Sequence, residues 1–236
     1  MYRGRVAPLR GADSQTESIQ GHMTTRAKIT LLILVAVPIA LFVWWWRNAH
    51  APVANAASKG ANIILLGDSL GAAYGVGEDA GFVALTEKRF GVTILNASIA
   101  GSTTADGLDR LQKDVLDRDP KVVIIELGGN DLLQSVPRDD TRHNLEAMIQ
   151  AVQKAGAAVV LVGADGPLGA GGLTTIMRDL SHQYGTACVP NILSGMMSDF
   201  RLMQDQVHPN AEGQKIMADR LVKELSRRLP KIFKEK

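Results

Sequence analysis

From residue 62 onward, apolar positions follow two spacings in turn. Short runs of branched, largely uninterrupted apolar residues at Asn62–Leu66, Val92–Asn96, Lys121–Leu127 and Ala157–Gly163 predict strands, with a short fifth at Thr186–Val189. Between and after them the spacing becomes helical. Helices are predicted at about Gly81–Phe90, Thr104–Leu116, Arg138–Ala155, Leu173–Tyr184 and Asn210–Leu229. In the third of these Leu145, Met148, Ile149 and Val152 share a face, and in the last Ile216, Met217, Leu221 and Leu225 do. Strands that are apolar on both faces and separated by amphipathic helices belong to a parallel sheet covered on both sides. The expected class is therefore α/β. Residues 61–236 suffice for one core and one domain, and no internal repeat interrupts them.

The pattern before residue 61 is different. Residues 1–28 are polar and without periodicity and are expected to form a disordered, cytoplasmic N-terminus. Met23 offers a second plausible start beside Met1. Ile29–Trp46 carries a single polar side chain, Thr30. As a helix it would span roughly 27 Å, close to the hydrocarbon thickness of a bilayer. Arg26 and Lys28 precede it, and Trp44, Trp45, Trp46 and Arg47 close it, as suits a membrane–water boundary. Residues 29–46 are thus expected to be a transmembrane signal-anchor, with Pro38 tolerated inside it. The basic N-terminal flank would stay cytoplasmic and the C-terminal domain would be extracytoplasmic, in the periplasm. The alternative is a signal peptide cleaved after Ala54-Asn55-Ala56, which would release a secreted periplasmic form. The apolar run exceeds the usual length of such a peptide, and that site lies well beyond Trp46. Residues 47–60 read as linker.

Charge follows the same division. The first 59 residues hold seven Lys/Arg and two Asp/Glu, and the remainder nineteen and twenty-two. The domain itself is slightly acidic and has no basic stripe, which argues against a nucleic-acid partner. The single cysteine, Cys188, excludes an intramolecular disulfide and reads as a buried small hydrophobe. No Cys/His cluster has zinc spacing, and no cofactor is expected.

The candidate chemistry gathers where strands end and helices start. Ile63–Leu66 runs into Gly67-Asp68-Ser69-Leu70 and then small residues, which predicts a strand, a tight turn and a helix beginning at Ser69. A hydroxyl there sits at the carboxyl edge of the sheet, where ligands collect, and at a helix end that favours negative charge. Serine needs a base to act as a nucleophile. Asp205-Gln206-Val207-His208-Pro209 supplies His208, with Pro209 expected at the first helical position and Asp205 placed to fold back onto the ring. Acyl transfer also needs oxyanion donors. Gly101 can offer a bare backbone N–H and Asn130 a side-chain amide. The glycine-rich loop Ala164–Gly172 follows the fourth strand on the same edge, with Asp165 and Leu168 as candidate substrate-loop residues. Leu168 is its one large apolar side chain, from which a preference for short to medium acyl chains is expected.

Gly67-Asp68-Ser69-Leu70, Gly101, Gly128-Gly129-Asn130-Asp131 and Asp205-x-x-His208-Pro209, in this order and spacing, resemble the SGNH (GDSL) hydrolase family. Asn96-Ala97-Ser98-Ile99-Ala100-Gly101 and Glu126-Leu127-Gly128-Gly129-Asn130-Asp131 look like its bacterial thioesterase I / lysophospholipase / arylesterase subgroup. The resemblance implies a flavodoxin-like three-layer α/β/α sandwich with a five-stranded parallel sheet. It also implies hydrolysis of acyl ester, thioester or lysophospholipid bonds without metal by a monomeric catalytic domain. Catalytic roles fall on Ser69, Asp205 and His208, and the oxyanion hole on Ser69, Gly101 and Asn130. The 163–172 loop departs from the Asn-Tyr-Gly-type loop common in that subgroup, so substrate preference does not carry over.

Gly67-Asp68-Ser69-Leu70-Gly71 also satisfies the nucleophile-elbow pattern of α/β-hydrolases, but too little domain precedes Ser69 for that fold. The function alternatives are a carbohydrate O-deacetylase of the same fold and a non-catalytic membrane-tethered binding module.

Overall fold

A computed structural model describes residues 32–43, 52–166 and 172–235. The chain divides into two units, Met1–Ala49 and His50–Lys236. Of the first, residues 32–43 form a helix (α1) with its apolar side chains exposed throughout. Among the described residues no helix is long and apolar enough to cross a membrane. The predicted span 29–46 has both ends outside the described residues.

The second unit is an α/β domain. Its strands are β1 (Asn62–Gly67), β2 (Ile94–Asn96), β3 (Pro120–Glu126), β4 (Ala158–Val162) and β5 (Ala187–Val189). The sheet is parallel in every pairing and runs in the order β2-β1-β3-β4-β5. Its helices are α2 (Phe82–Phe90), α3 (Thr104–Asp114), α4 (Gly129–Leu133), α5 (Arg138–Lys154), α6 (Leu173–Tyr184) and α7 (Ala211–Arg228).

Alternation along the central strands divides the core in two. Ile63, Leu65, Val122, Ile124, Val160 and Val162 face α2 and α7. Ile64, Leu66, Val123, Ile125, Val159 and Leu161 face α3, α5 and α6. This is the expected three-layer arrangement. β1 and β3 are neighbours, and their connections leave toward opposite sides of the sheet. The crevice outside their carboxyl ends is the topological switch point, where open α/β sheets bind ligands. The Ser69 turn follows β1 and Asn130 follows β3.

Two local expectations are corrected. No helix begins at Ser69: residues 69–76 form successive turns, with Tyr74 N–H donating to Ser69 O at 3.1 Å and Ala72 N–H to Asp68 O at 3.0 Å. A run that includes Gly71, Gly75 and Gly77 has too little helix propensity to continue, so no helix end acts on Ser69. Pro209 is not the first helical residue. Asn210 caps α7, its side chain accepting from Glu212 N–H and Gly213 N–H, which leaves Pro209 one position outside. α4 was not predicted; five residues are too few to show a periodicity.

Candidate active site

The turn after β1 is held from behind by Glu126, the last residue of β3. Its Oε2 accepts from Asp68 N–H at 3.2 Å and Gly71 N–H at 3.3 Å, while Oε1 is buried with no partner. Asp68, also buried, accepts from Leu70 N–H at 3.0 Å and from Asn130 Nδ2 at 3.0 Å. Burial, then the neighbouring Asp68 carboxyl, pushes Glu126 well above the usual carboxylate range. Burial likewise raises Asp68 to about 6, against opposing hydrogen bonds from Leu70, Glu126 and Asn130. Each buried carboxyl thus favours its neutral form more than a free one does, and at Asp68 the donors from Leu70 and Asn130 oppose that. Arg110 of α3 ties the strand ends together, donating to Gly67 O at 2.9 Å and to Ala97 O.

Ser69 sits half-buried on this turn. Its Oγ lies 3.0 Å from His208 Nε2, and His208 Nδ1 lies 2.8 Å from Asp205 Oδ2. The other Asp205 oxygen accepts from Val207 N–H at 2.9 Å and His208 N–H at 2.7 Å. Burial pushes the Asp205 carboxyl up, but these donors and the His208 ring together outweigh it, and the group sits below its ordinary value. The contact of Asp205 with the His208 ring is the one the spacing suggests, and two backbone donors of the same short loop add to it.

Gly101 lines the same cleft with φ of 83°, a conformation that only glycine adopts without strain. Among the described residues, neither Gly101 N–H nor Ser69 N–H has a hydrogen-bond acceptor. Asn130 is placed by Gly128, whose φ of 108° turns the chain directly into α4. Both hydrogens of its amide are engaged, one by Asp68 Oδ2 and the other by Ser102 O at 3.0 Å. Asp131, next in the chain, points away from the cleft. It accepts from Thr104 N–H at 2.8 Å, from the Thr104 hydroxyl, and from the Thr141 hydroxyl at 3.1 Å, bolting α3 to α5.

The cleft encloses about 260 Å³. Its apolar wall comes from Tyr74, Leu132, Leu133, Leu193, Met197 and Val207, none of which sequence reasoning singled out. They come from four separate segments and share no spacing. The Tyr74 ring packs on the imidazole of His208, centroids 4.6 Å apart. Asp165 lies at the cleft edge, where its oxygens accept from Gly166 N–H and Thr174 N–H at 3.0 Å each. Leu168 lies outside the described residues. Cys188 is partly buried against Met177, and burial pushes its thiol up to about 12. His143 and His182 are exposed and remote from this cleft.

A parallel α/β sheet with a hydroxyl, an imidazole and a carboxylate in line at its switch point has the layout of a hydrolase site. The chain belongs to the GDSL-like lipase/acylhydrolase family, whose model matches residues 65–216, and it is a carboxylic ester hydrolase of the SGNH type. It is 35% identical over 163 residues to esterase TesA of Pseudomonas aeruginosa, covering 64% of this chain and 81% of that one. It is 30% identical over 177 residues to thioesterase 1/protease 1/lysophospholipase L1 of Escherichia coli K12, covering 72% and 85%. The crystal structure of TesA superposes with a TM-score of 0.66 at 33% identity, over 70% of this chain and 98% of that one.

Proposed function

We propose that the enzyme cleaves acyl esters or thioesters through an acyl-enzyme on Ser69. The distances of 3.0 Å from Ser69 Oγ to His208 Nε2 and 2.8 Å from His208 Nδ1 to Asp205 carry this reading. With Asp205 accepting from Nδ1–H, Nε2 is the basic nitrogen facing the hydroxyl. His208 takes the Ser69 proton as Oγ attacks the acyl carbonyl. The oxyanion is received by the Ser69 and Gly101 N–H groups. The Asn130 amide joins them when its bond to Ser102 O gives way to the stronger, charged acceptor. Collapse expels the alkoxide or thiolate, which takes the proton from His208. Water, deprotonated by His208, then releases the acid and restores Ser69. No metal or cofactor enters these steps.

The 260 Å³ cleft falls slightly below the range usual for drug-sized ligands, which favours short to medium acyl chains. The run 29–46 with its basic and tryptophan flanks supports a membrane anchor and an extracytoplasmic catalytic domain. The acidic balance of that domain supports no nucleic-acid partner.

The test is a fluorophosphonate probe together with p-nitrophenyl ester hydrolysis. The parent should label on Ser69. Ser69→Ala and His208→Ala should each lose nearly all turnover, and Asp205→Ala less, since it orients the ring and does not react. More than a few per cent of parental activity in either of the first two would overturn the assignment.

A further inference from the structure

A second groove, of about 630 Å³, adjoins the cleft and shares Asp165, Gly166, Leu193 and Met197 with it as a common wall. Beyond that wall its character changes from apolar to polar. Thr174 and Arg178 lie one helical turn apart on α6, and Asn191, Ser194 and Ser198 face them from the loop after β5.

Hydrogen-bond accounting shows which ligand such a groove selects. Its amide and carboxylate acceptors are spent. Asn191 Oδ1 takes Leu193 N–H at 3.0 Å and Asp165 N–H at 3.4 Å, which fixes the amide with its NH₂ pointing outward. Arg220 ties down Ile192 O and, at 2.7 Å, Ser194 O. Both oxygens of Asp165, the one carboxylate in the lining, accept backbone N–H groups.

Three donors, by contrast, remain. Arg178 is exposed and makes no hydrogen bond or ion pair with a described residue, whereas its neighbour Asp179 is paired with Arg142 at 3.7 Å. The Thr174 hydroxyl and the Asn191 NH₂ likewise have no described partner. A groove of unspent donors around one guanidinium matches an oxygen-rich anion, and a guanidinium matches phosphate geometrically.

We infer that this groove is a leaving-group subsite, in which Arg178 holds a phosphate carried by the alcohol or thiol of the substrate. The inference rests on the acyl-enzyme reading above. The apolar cleft takes the acyl chain, so the leaving group emerges past Leu193 and Met197 into the polar branch. Arg178 touches no reacting atom; it sets which leaving groups are bound.

The test compares phosphate-bearing and neutral leaving groups on one acyl chain, using the full chain in a nonionic detergent. The pairs are decanoyl-CoA against its N-acetylcysteamine thioester, and decanoyl lysophosphatidylglycerol against monodecanoylglycerol. Arg178→Gln should raise KM about tenfold for a phosphate-bearing member, leave kcat unchanged, and move the neutral partner by less than twofold. A response confined to the CoA arm identifies a nucleotide thioester. A response confined to the lysophospholipid arm identifies a lipid headgroup. Equal changes on phosphate-bearing and neutral substrates, or no change on any, would overturn the subsite. Calorimetric titration with free coenzyme A and with glycerol 3-phosphate reads the subsite without turnover. If the parent hydrolyses none of the four, labelling of Ser69 and p-nitrophenyl ester turnover decide the acyl-enzyme reading, and weaker anion binding by Arg178→Gln still decides the subsite.

Discussion

Asn130 and Glu126 do most to shape this site, and neither acts as a simple donor or acceptor. The Asn130 amide is fully occupied at rest, at 3.0 Å to both Asp68 and Ser102. In the proposed mechanism its contribution is realised only when an oxyanion displaces Ser102 O. Asn130→Ala should lower kcat by about 10²–10³ with little change in KM. A change in KM alone would make Asn130 a substrate binder. Glu126 holds its proton in the folded state at pH values where the unfolded chain has released it. Between those two pKa values the folded chain binds more protons, so stability falls as pH rises, by up to about 1.4 kcal/mol per pH unit. Glu126→Gln keeps an acceptor for Asp68 N–H and Gly71 N–H and has no proton to release. Its melting temperature relative to the parent should climb from pH 5 to pH 8. A difference that stays flat across that range would refute a proton held on Glu126.

At the scale of elements, the site depends on how the chain leaves β1 and β3. β3 delivers Glu126 beneath the β1 turn and, through Gly128 and α4, Asn130 beside it. Asp131 then fastens α4 to α3 and α5 through Thr104 and Thr141. Its carboxylate is buried, and removing it strands buried donors on two helices. Asp131→Ala should destabilise the domain by about 3 kcal/mol in urea unfolding, with the denaturant slope unchanged. A loss under 1 kcal/mol would show that α3 and α5 hold together without it. Tyr74, latched by Gln204 Nε2 to its carbonyl at 3.1 Å, joins the β1 turn to the His208 loop.

At the scale of the whole molecule, one chain carries a catalytic domain and a long apolar run. The run should retain the full-length protein in carbonate-washed membranes, with the domain open to protease from outside the cytoplasm. A soluble product beginning at Ala57 would show cleavage after Ala56 instead. The domain's own chemistry is independent of that outcome, since every residue of the proposed mechanism lies between Ser69 and His208.

The α/β class and the five strands were legible in the sequence, and so was the meeting of Ser69, Gly101, Asn130 and His208 at one cleft with Asp205 against the His208 ring. Branched apolar runs and helical periodicity record local burial directly. Strand ends collect chemistry on one edge of a parallel sheet, so motifs distant in sequence had one place to meet. The path after Ser69 was not legible as turns, because small residues are compatible with either a helix or a coil and packing decides between them. Nor were the Glu126 prop and the resting bond from Asn130 to Ser102 O, which depend on register between strands. The walls of both grooves were hidden for the same reason: Tyr74, Leu193, Met197 and Arg178 have no common spacing. Only the packing of α6 and the loop after β5 against the cleft brings them together.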